Sequence, residues 1–214
     1  EPAAECPVWL SFLDRIMGGN KDMLLFLQKA VGYSLSGSTK EQCMFILHGT
    51  GANGKSTFLN TVEGLLADYA QQTPTETLMS KKTAGIPNDI ARLQGARFVT
   101  ASEADQGKCF AEALIKQMTG GDKLTARFLH GEFFEFVPKF KLFLATNHKP
   151  NIKGTDNGIW RRIRLIPFEV TIPKEEQDQN LMDKLRSELP GILTWAVKGC
   201  LLWQHEGLHP PEEV

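Results

Sequence analysis

Cysteine is scarce in this chain and scattered: Cys6, Cys43, Cys109 and Cys200 lie far apart, with no C-x-x-C pair. That spacing argues against a thiolate zinc site and against a disulfide framework, and makes a reducing compartment the default. Long apolar runs are missing, so no segment predicts a bilayer span, and the N-terminus lacks a basic stretch followed by an apolar one. A cytoplasmic protein without a membrane partner is the expectation. Excess charge of either sign is missing as well: 24 Lys and Arg against 25 Asp and Glu leave a net charge of -1, which argues against a surface coated in basic residues for nucleic acid. There is no internal repeat and no low-complexity segment. The 214 residues, 42% of them hydrophobic and 23% charged, suit a globular fold with one main core and a small helical appendage.

Against these absences stands one unbroken pattern. Gly49-Thr50-Gly51-Ala52-Asn53-Gly54-Lys55-Ser56 fits G-x-x-x-x-G-K-[ST], with the apolar run Met44 to Leu47 before it and a helix-compatible stretch, Thr57 to Leu66, after it. The chemistry needs these residue types. Glycines let consecutive backbone N–H groups point at phosphate oxygens, Lys55 reaches the terminal phosphates, and the Ser56 hydroxyl ligates magnesium. The helix that follows adds its positive end. Thr57 completes the candidate nucleotide-contacting set, Gly49 to Thr57, for ATP with Mg2+.

Residues 5 to 37 predict a helical lead-in: Trp9, Phe12, Leu13 and Ile16 recur at helical spacing, and a second helix runs from an Asn20 cap to Val31 with Gly32 as its stop. A first strand is expected at 43 to 47, a polar stretch of uncertain structure at 68 to 89, and a buried strand at Arg97 to Ala101. A short helix at 110 to 118 carries Phe110, Leu114 and Met118 on one face and stops at Gly120-Gly121. Lys123 to Val137 reads as a β-hairpin turning at His130-Gly131. Further strands are expected at Leu142 to Ala145 and Ile163 to Phe168. The end is helical, with Leu181, Leu185 and Leu189 spaced by four, a break at Pro190 and a stop at Gly207. Strands separated by helices, with a phosphate loop after the first, predict an α/β nucleotide-binding core. Its divisions are a helical segment at 1–40, a core at 41–172 and a helical segment at 173–214.

Hydrolysis needs an acid at the end of a neighbouring strand, and Glu103 follows the Arg97 to Ala101 strand, with Asp105 two residues on. Either is also a common kind of loop acid. Asn147, after Leu142 to Thr146, could orient the attacking water; it could equally be a turn residue before Pro150. From Lys139 to Arg164 seven basic residues (Lys139, Lys141, Lys149, Lys153, Arg161, Arg162, Arg164) face one acid, Asp156. Charge alone leaves a solvated basic face as open as a site. Within the run, Arg161 or Arg162 could stabilise charge on a transferring phosphoryl group, including one held by a neighbouring subunit.

The blocks ILHGTGANGKST, FVTASEAD, TGGDKLTARFLHGEFFEFVPKFKLFLATNHKPNI and GTDNGIWRRIRLIPF occur in that order. Together they resemble the helicase domain of phage and plasmid primase-helicases, with poxvirus-type relatives: superfamily III within the AAA+ ATPases. The likeness covers Trp9 to about Phe168. It implies an AAA+ P-loop NTPase core with a central, mostly parallel sheet, in a replicative DNA helicase that hydrolyses ATP. Such a protein works as a homo-hexameric ring around single-stranded DNA, with a primase domain in the same polypeptide, in the bacterial cytoplasm or an infected host. Carried over, Lys55 and Ser56 match the phosphate lysine and the magnesium ligand. Glu103, with Asp105 as a second metal-binding acid, matches the Walker B block, which here lacks an adjacent acid pair. Asn147 matches the sensor, and Arg161 or Arg162 the arginine finger acting in trans, with Arg161 preferred. Lys123, Arg127 and His130 sit in the segment that resembles the DNA-contacting hairpin and are expected to touch phosphates. The family's upstream primase half and C-terminal DNA-binding extension have no counterpart in these residues, so an excised piece or a minimal member is expected. A nucleoside kinase would leave the hairpin unexplained; an AAA+ assembly or remodelling factor is the runner-up.

Overall fold

The structure is a computed structural model that describes residues 4–80, 88–102, 109–148 and 157–214. In chain order the elements are α1 (Pro7–Ile16), α2 (Lys21–Leu35), β1 (Met44–His48), α3 (Lys55–Leu66), β2 (Ala70–Gln72), α4 (Asn88–Ala91), β3 (Phe98–Ser102), α5 (Glu112–Gly120), β4 (Leu124–Ala126) and β5 (Phe134–Phe136). They continue with β6 (Lys141–Thr146), α6 (Asn157–Trp160), β7 (Ile163–Pro167), α7 (Leu181–Ser187) and α8 (Leu189–Glu206). Two compact units result. The first holds Glu1–Ser36, Gly49–Ala67 and Ile166–Val214; the second holds Gly37–His48 and Asp68–Leu165.

In the first unit the lead-in helices form as their spacing predicts. Trp9, Phe12, Leu13 and Ile16 make the buried stripe of α1. Glu188 closes its N-terminus: the carboxylate accepts from the backbone N–H of Val8 (3.0 Å) and Trp9 (2.9 Å), placing negative charge at a positive helix end. Asn20 caps α2 by accepting from the N–H groups of Asp22 (3.0 Å) and Met23 (3.1 Å). Gly32 does not stop that helix, which runs on to Leu35. A Cβ at Gly32 would lie 2.1 Å from the backbone nitrogen of Cys200, and one at Gly199 2.1 Å from the carbonyl of Gln28. The glycine is there because α2 and α8 meet backbone to backbone. Pro190 lies in the first turn of α8, where its missing N–H costs nothing. Trp9 stacks on Phe58 of α3 (5.7 Å, 16°) and meets Trp195 of α8 edge-on (5.5 Å).

The second unit is built on the main sheet, in the order β2-β3-β6-β1-β7, with β7 running on into the first unit. β1, β6, β3 and β2 pair in parallel, in a register that sets His48 beside Thr146 and Ser102 beside Ala145. One face carries Met44, Ile46, Val99, Ala101, Leu142 and Leu144, buried with Ile115, Met118 and Phe140. The other bears the rings of Phe45, Phe98 and Phe143, with centroids 4.5 and 4.6 Å apart. β2, with the sequence Ala-Gln-Gln, pairs with β3 inside the polar stretch that gives no strand signal. Phe110 lies ahead of α5, where its backbone bridges to Met79, and so does not belong to the helix face assigned to it from spacing. β4 and β5 form a separate antiparallel hairpin.

Candidate functional site

The phosphate-loop pattern lies in the first unit and leads into α3, whose helix begins at Lys55 rather than Thr57. Gly54 precedes it with φ of 83°, a conformation a side chain strains to adopt, and a Cβ there would come within 2.6 Å of Ile16. At Gly49 a Cβ would meet the Phe168 carbonyl at 2.2 Å. The loop is tied down on that side: Asn53 Nδ2 donates to the Phe168 carbonyl (3.0 Å), and the Ile172 N–H donates to the Ala52 carbonyl (2.7 Å).

Lys55 is buried inside this curl. Its Nζ donates to the Gly49 carbonyl (2.6 Å) and to Asn53 Oδ1 (3.0 Å), and burial lowers its pKa below the ordinary lysine value. The ammonium is therefore held by the loop's own oxygens at the positive end of a twelve-residue helix, the place where a phosphate chain is best received. Ser56 is exposed on the first turn and Thr57 half-buried. Beside the loop opens a cavity of about 670 Å³. Its walls include Phe12, Ala52, Thr57, Ile172, Leu181 and Met182, with Ser11, Gln177, Asp178 and Gln179 as polar groups. The Arg15–Glu176 ion pair also lines it. None of these residues outside the loop is marked by a local motif; they come from segments more than a hundred residues apart and meet only in the fold.

In the second unit, the parallel strands β1, β3 and β6 end in line, at His48, Ser102 and Thr146. In open α/β sheets ligands bind at such carboxyl ends, where the strand order reverses, as it does at β1 between β6 and β7. Asn147 follows β6 directly and is exposed; Thr146 Oγ1 shapes the turn there by donating to the His148 carbonyl (2.9 Å) and accepting from the His148 N–H (3.2 Å). Glu103 and Asp105, expected after β3, lie outside the described residues, as do Lys149, Lys153 and Asp156.

The two arginines differ. Arg162 is buried, donating from Nη1 to the Gly158 carbonyl (2.6 Å) and from Nε to Thr119 Oγ1 (3.2 Å). Arg161 is exposed. The basic run is thus only partly a basic face, for Lys141 is also buried, its Nζ donating to the carbonyls of Lys139 (3.2 Å) and Ser38 (3.3 Å).

The predicted hairpin forms, with Leu124 opposite Phe136 and Ala126 opposite Phe134. Lys123, Arg127 and His130 are exposed on it. Lys123 pairs with Glu135 (3.2 Å), and the Arg127 guanidinium lies over the Phe133 ring (4.9 Å). The aromatic residues around the turn were missed as site candidates, although their interleaving in Arg127-Phe128-Leu129-His130-Gly131-Glu132-Phe133-Phe134 is visible in the sequence.

Residues 47–162 match the family described as "Family of unknown function (DUF5906)". A "Putative helicase" of Acanthamoeba polyphaga mimivirus is 32% identical over 222 residues, covering 95% of this chain and 23% of the viral protein. A "Putative helicase" of Frog virus 3 is 33% identical over 168 residues, covering 76% and 17%. A "Putative primase" of African swine fever virus is 29% identical over 166 residues, again covering 76% and 17%. The chain therefore spans less than a quarter of the length of these relatives. Among solved structures, the A-form apo structure of the NrS-1 C-terminal region shares the fold at a TM-score of 0.73 and 11% identity, covering 92% of this chain and 47% of that one. No helix among the described residues is long and apolar enough to cross a membrane.

Proposed function

The chain belongs to the DUF5906 family and is kin to viral proteins named as helicases and primases, and from that premise we propose that it is the ATP-driven motor of a replicative primase-helicase, moving on single-stranded DNA. The observation that carries the proposal is Lys55, buried in a glycine curl at the N-terminus of α3 with its ammonium turned to the Gly49 carbonyl and Asn53 Oδ1 of that loop. A triphosphate offers the same ammonium better acceptors, carrying full negative charge.

In this reading the backbone N–H groups of Gly49 to Lys55 cradle the phosphates, and Thr57 with the adjoining cavity receives the nucleoside, its base against Phe12, Ile172 and Met182. The residues present fit the group: the loop presents donors and a cation, and the cavity presents apolar walls for a base together with hydrogen-bonding groups such as Ser11, Gln177 and Gln179. Bound Mg2+ would neutralise charge on the phosphates. Ser56, placed at the loop's exit, would hold it, with Glu103 and Asp105 as the acids. Glu103 would also take up the proton of the attacking water, and Asn147 would orient that water. Arg161 is the finger, because its side chain is exposed to reach a neighbour whereas Arg162 is engaged inside its own unit. The full-length protein would be a homo-hexamer with ATP sites between subunits and a primase domain in the same polypeptide.

ATP hydrolysis should be measured with and without single-stranded DNA over a range of protein concentration, for the unmodified protein and Lys55→Ala. The expected result is DNA-stimulated turnover that rises more steeply than concentration and disappears in Lys55→Ala. Turnover proportional to concentration and indifferent to DNA would sink the motor reading and the trans finger with it.

A further inference from the structure

The turn of the hairpin carries no net charge and much exposed apolar surface. From Lys123 to Glu135 two cations, Lys123 and Arg127, are matched by two carboxylates, Glu132 and Glu135, and Lys123 is already paired with Glu135. A tip without net positive charge has little long-range attraction for a polyanion. What it does present is apolar. Every residue from Arg127 to Phe133 is exposed; Phe128 is 50%, Leu129 74% and Phe133 56% accessible. Single exposed apolar residues are ordinary, but three within one seven-residue turn are not.

The rings are also held in place. Phe128 stacks on Phe134 (5.6 Å, 22°), Phe134 stacks on Phe136 (6.1 Å, 30°), and Phe136 is buried between the hairpin and the core. Phe133 carries the Arg127 guanidinium over its face. The Gly131 N–H donates to the Phe128 carbonyl (2.9 Å), and His130 takes φ of 63°, which fixes the bend between the two rings. This is a ladder of aromatic faces rising from the core into solvent, with a planar cation beside it, the combination that stacks unpaired bases.

We infer that the hairpin tip engages single-stranded nucleic acid by stacking nucleobases on Phe128 and Phe133, with Arg127 as the cationic flank, and not chiefly through phosphate contacts. The inference rests on the proposed single-stranded DNA substrate and gives it a chemical consequence: the ligand must offer open base faces, which a duplex keeps stacked on one another. Stacking on a ring is also tolerant of sequence, as a translocating motor requires.

The test is fluorescence anisotropy with a labelled oligothymidylate, an abasic strand of equal length and a duplex, using the unmodified chain, Phe128→Leu, Phe128→Trp and Arg127→Ala. Leucine keeps the apolar bulk against Phe134 and removes the π face, so a folded variant is retained. The expected outcome is that the abasic strand and the duplex bind at least about five-fold more weakly than oligothymidylate, that Phe128→Leu loses a similar factor, and that Phe128→Trp restores it. The salt dependence should be unchanged in Phe128→Leu and shallower by about one in Arg127→Ala. Equal binding of thymidylate and abasic strands, unaltered by Phe128→Leu, overturns the stacking inference and leaves the DNA motor standing. Absence of binding to every strand overturns both.

Discussion

Arg161 and Arg162 are neighbours in sequence and opposites in environment. Arg162 is anchored to Gly158 and Thr119, so Arg162→Ala should cost about 2 kcal/mol of stability, because it removes two hydrogen bonds of a buried guanidinium and leaves its space unfilled. Arg161→Ala should change stability by no more than about 0.5 kcal/mol and still remove hydrolysis in the assembled protein. Urea denaturation and ATP turnover on the two variants check this split, and a stable, active Arg161→Ala would refute the finger assignment. The glycine curl before Lys55 and the helix after it were legible from the sequence, since the turn and the helix start are set by local residue types. The burial of Lys141 and Arg162 was not, because a charge run looks alike whether its members face water or a carbonyl. Only the partners, Ser38 and Lys139 for one and Thr119 for the other, distinguish the two cases.

Elements were read best where one residue states the geometry. Asn20 announces the start of α2, and the alternation around His130-Gly131 announces the hairpin. They were read worst where the reason lies on another element. Gly32 looks like a stop from its own helix, and only the approach of α8 explains it. The two explanations predict opposite signs. If Gly32 were merely a poor helix residue, Gly32→Ala would add about 1 kcal/mol of stability. Since the new methyl group would collide with backbone that no rotamer can move aside, the substitution should instead cost about 3 kcal/mol. A shift of the urea midpoint gives the sign directly. β2 was unreadable for a different reason: a polar edge strand needs only its backbone to pair, so Ala70-Gln71-Gln72 carries no apolar alternation.

For the molecule as a whole, alkaline pH sets buried groups against each other: the thiols of Cys6 and Cys43, whose pKa values burial raises, and Lys55, whose pKa burial lowers. Burial pushes the Cys43 thiol from 9.0 up to about 12. An acid whose pKa is raised on folding contributes stability that is complete below its unfolded value and is lost as pH climbs from about 9 through about 12. Lys55 has the reverse sign: burial disfavours its charged form, so its cost is present while it is protonated and is relieved as pH rises toward the ordinary lysine value. Urea midpoints followed from pH 8 to 11 should therefore fall for the unmodified protein and fall less steeply for Cys43→Ala. An unchanged slope in that variant would assign the alkaline loss elsewhere. The α/β architecture and its strands other than β2 were legible at this scale, whereas the cavity beside the glycine-rich loop was not, since Phe12, Ile172 and Met182 become neighbours only after folding. The contact of Gly32 with Gly199 and Cys200 carries a last consequence, for inheritance. Two helices separated by side chains can drift, one enlarging as the other shrinks. Where main chain touches main chain there is nothing to trade, so single steps away from either glycine are closed, and descendants of this chain can change that pair only by moving a whole helix.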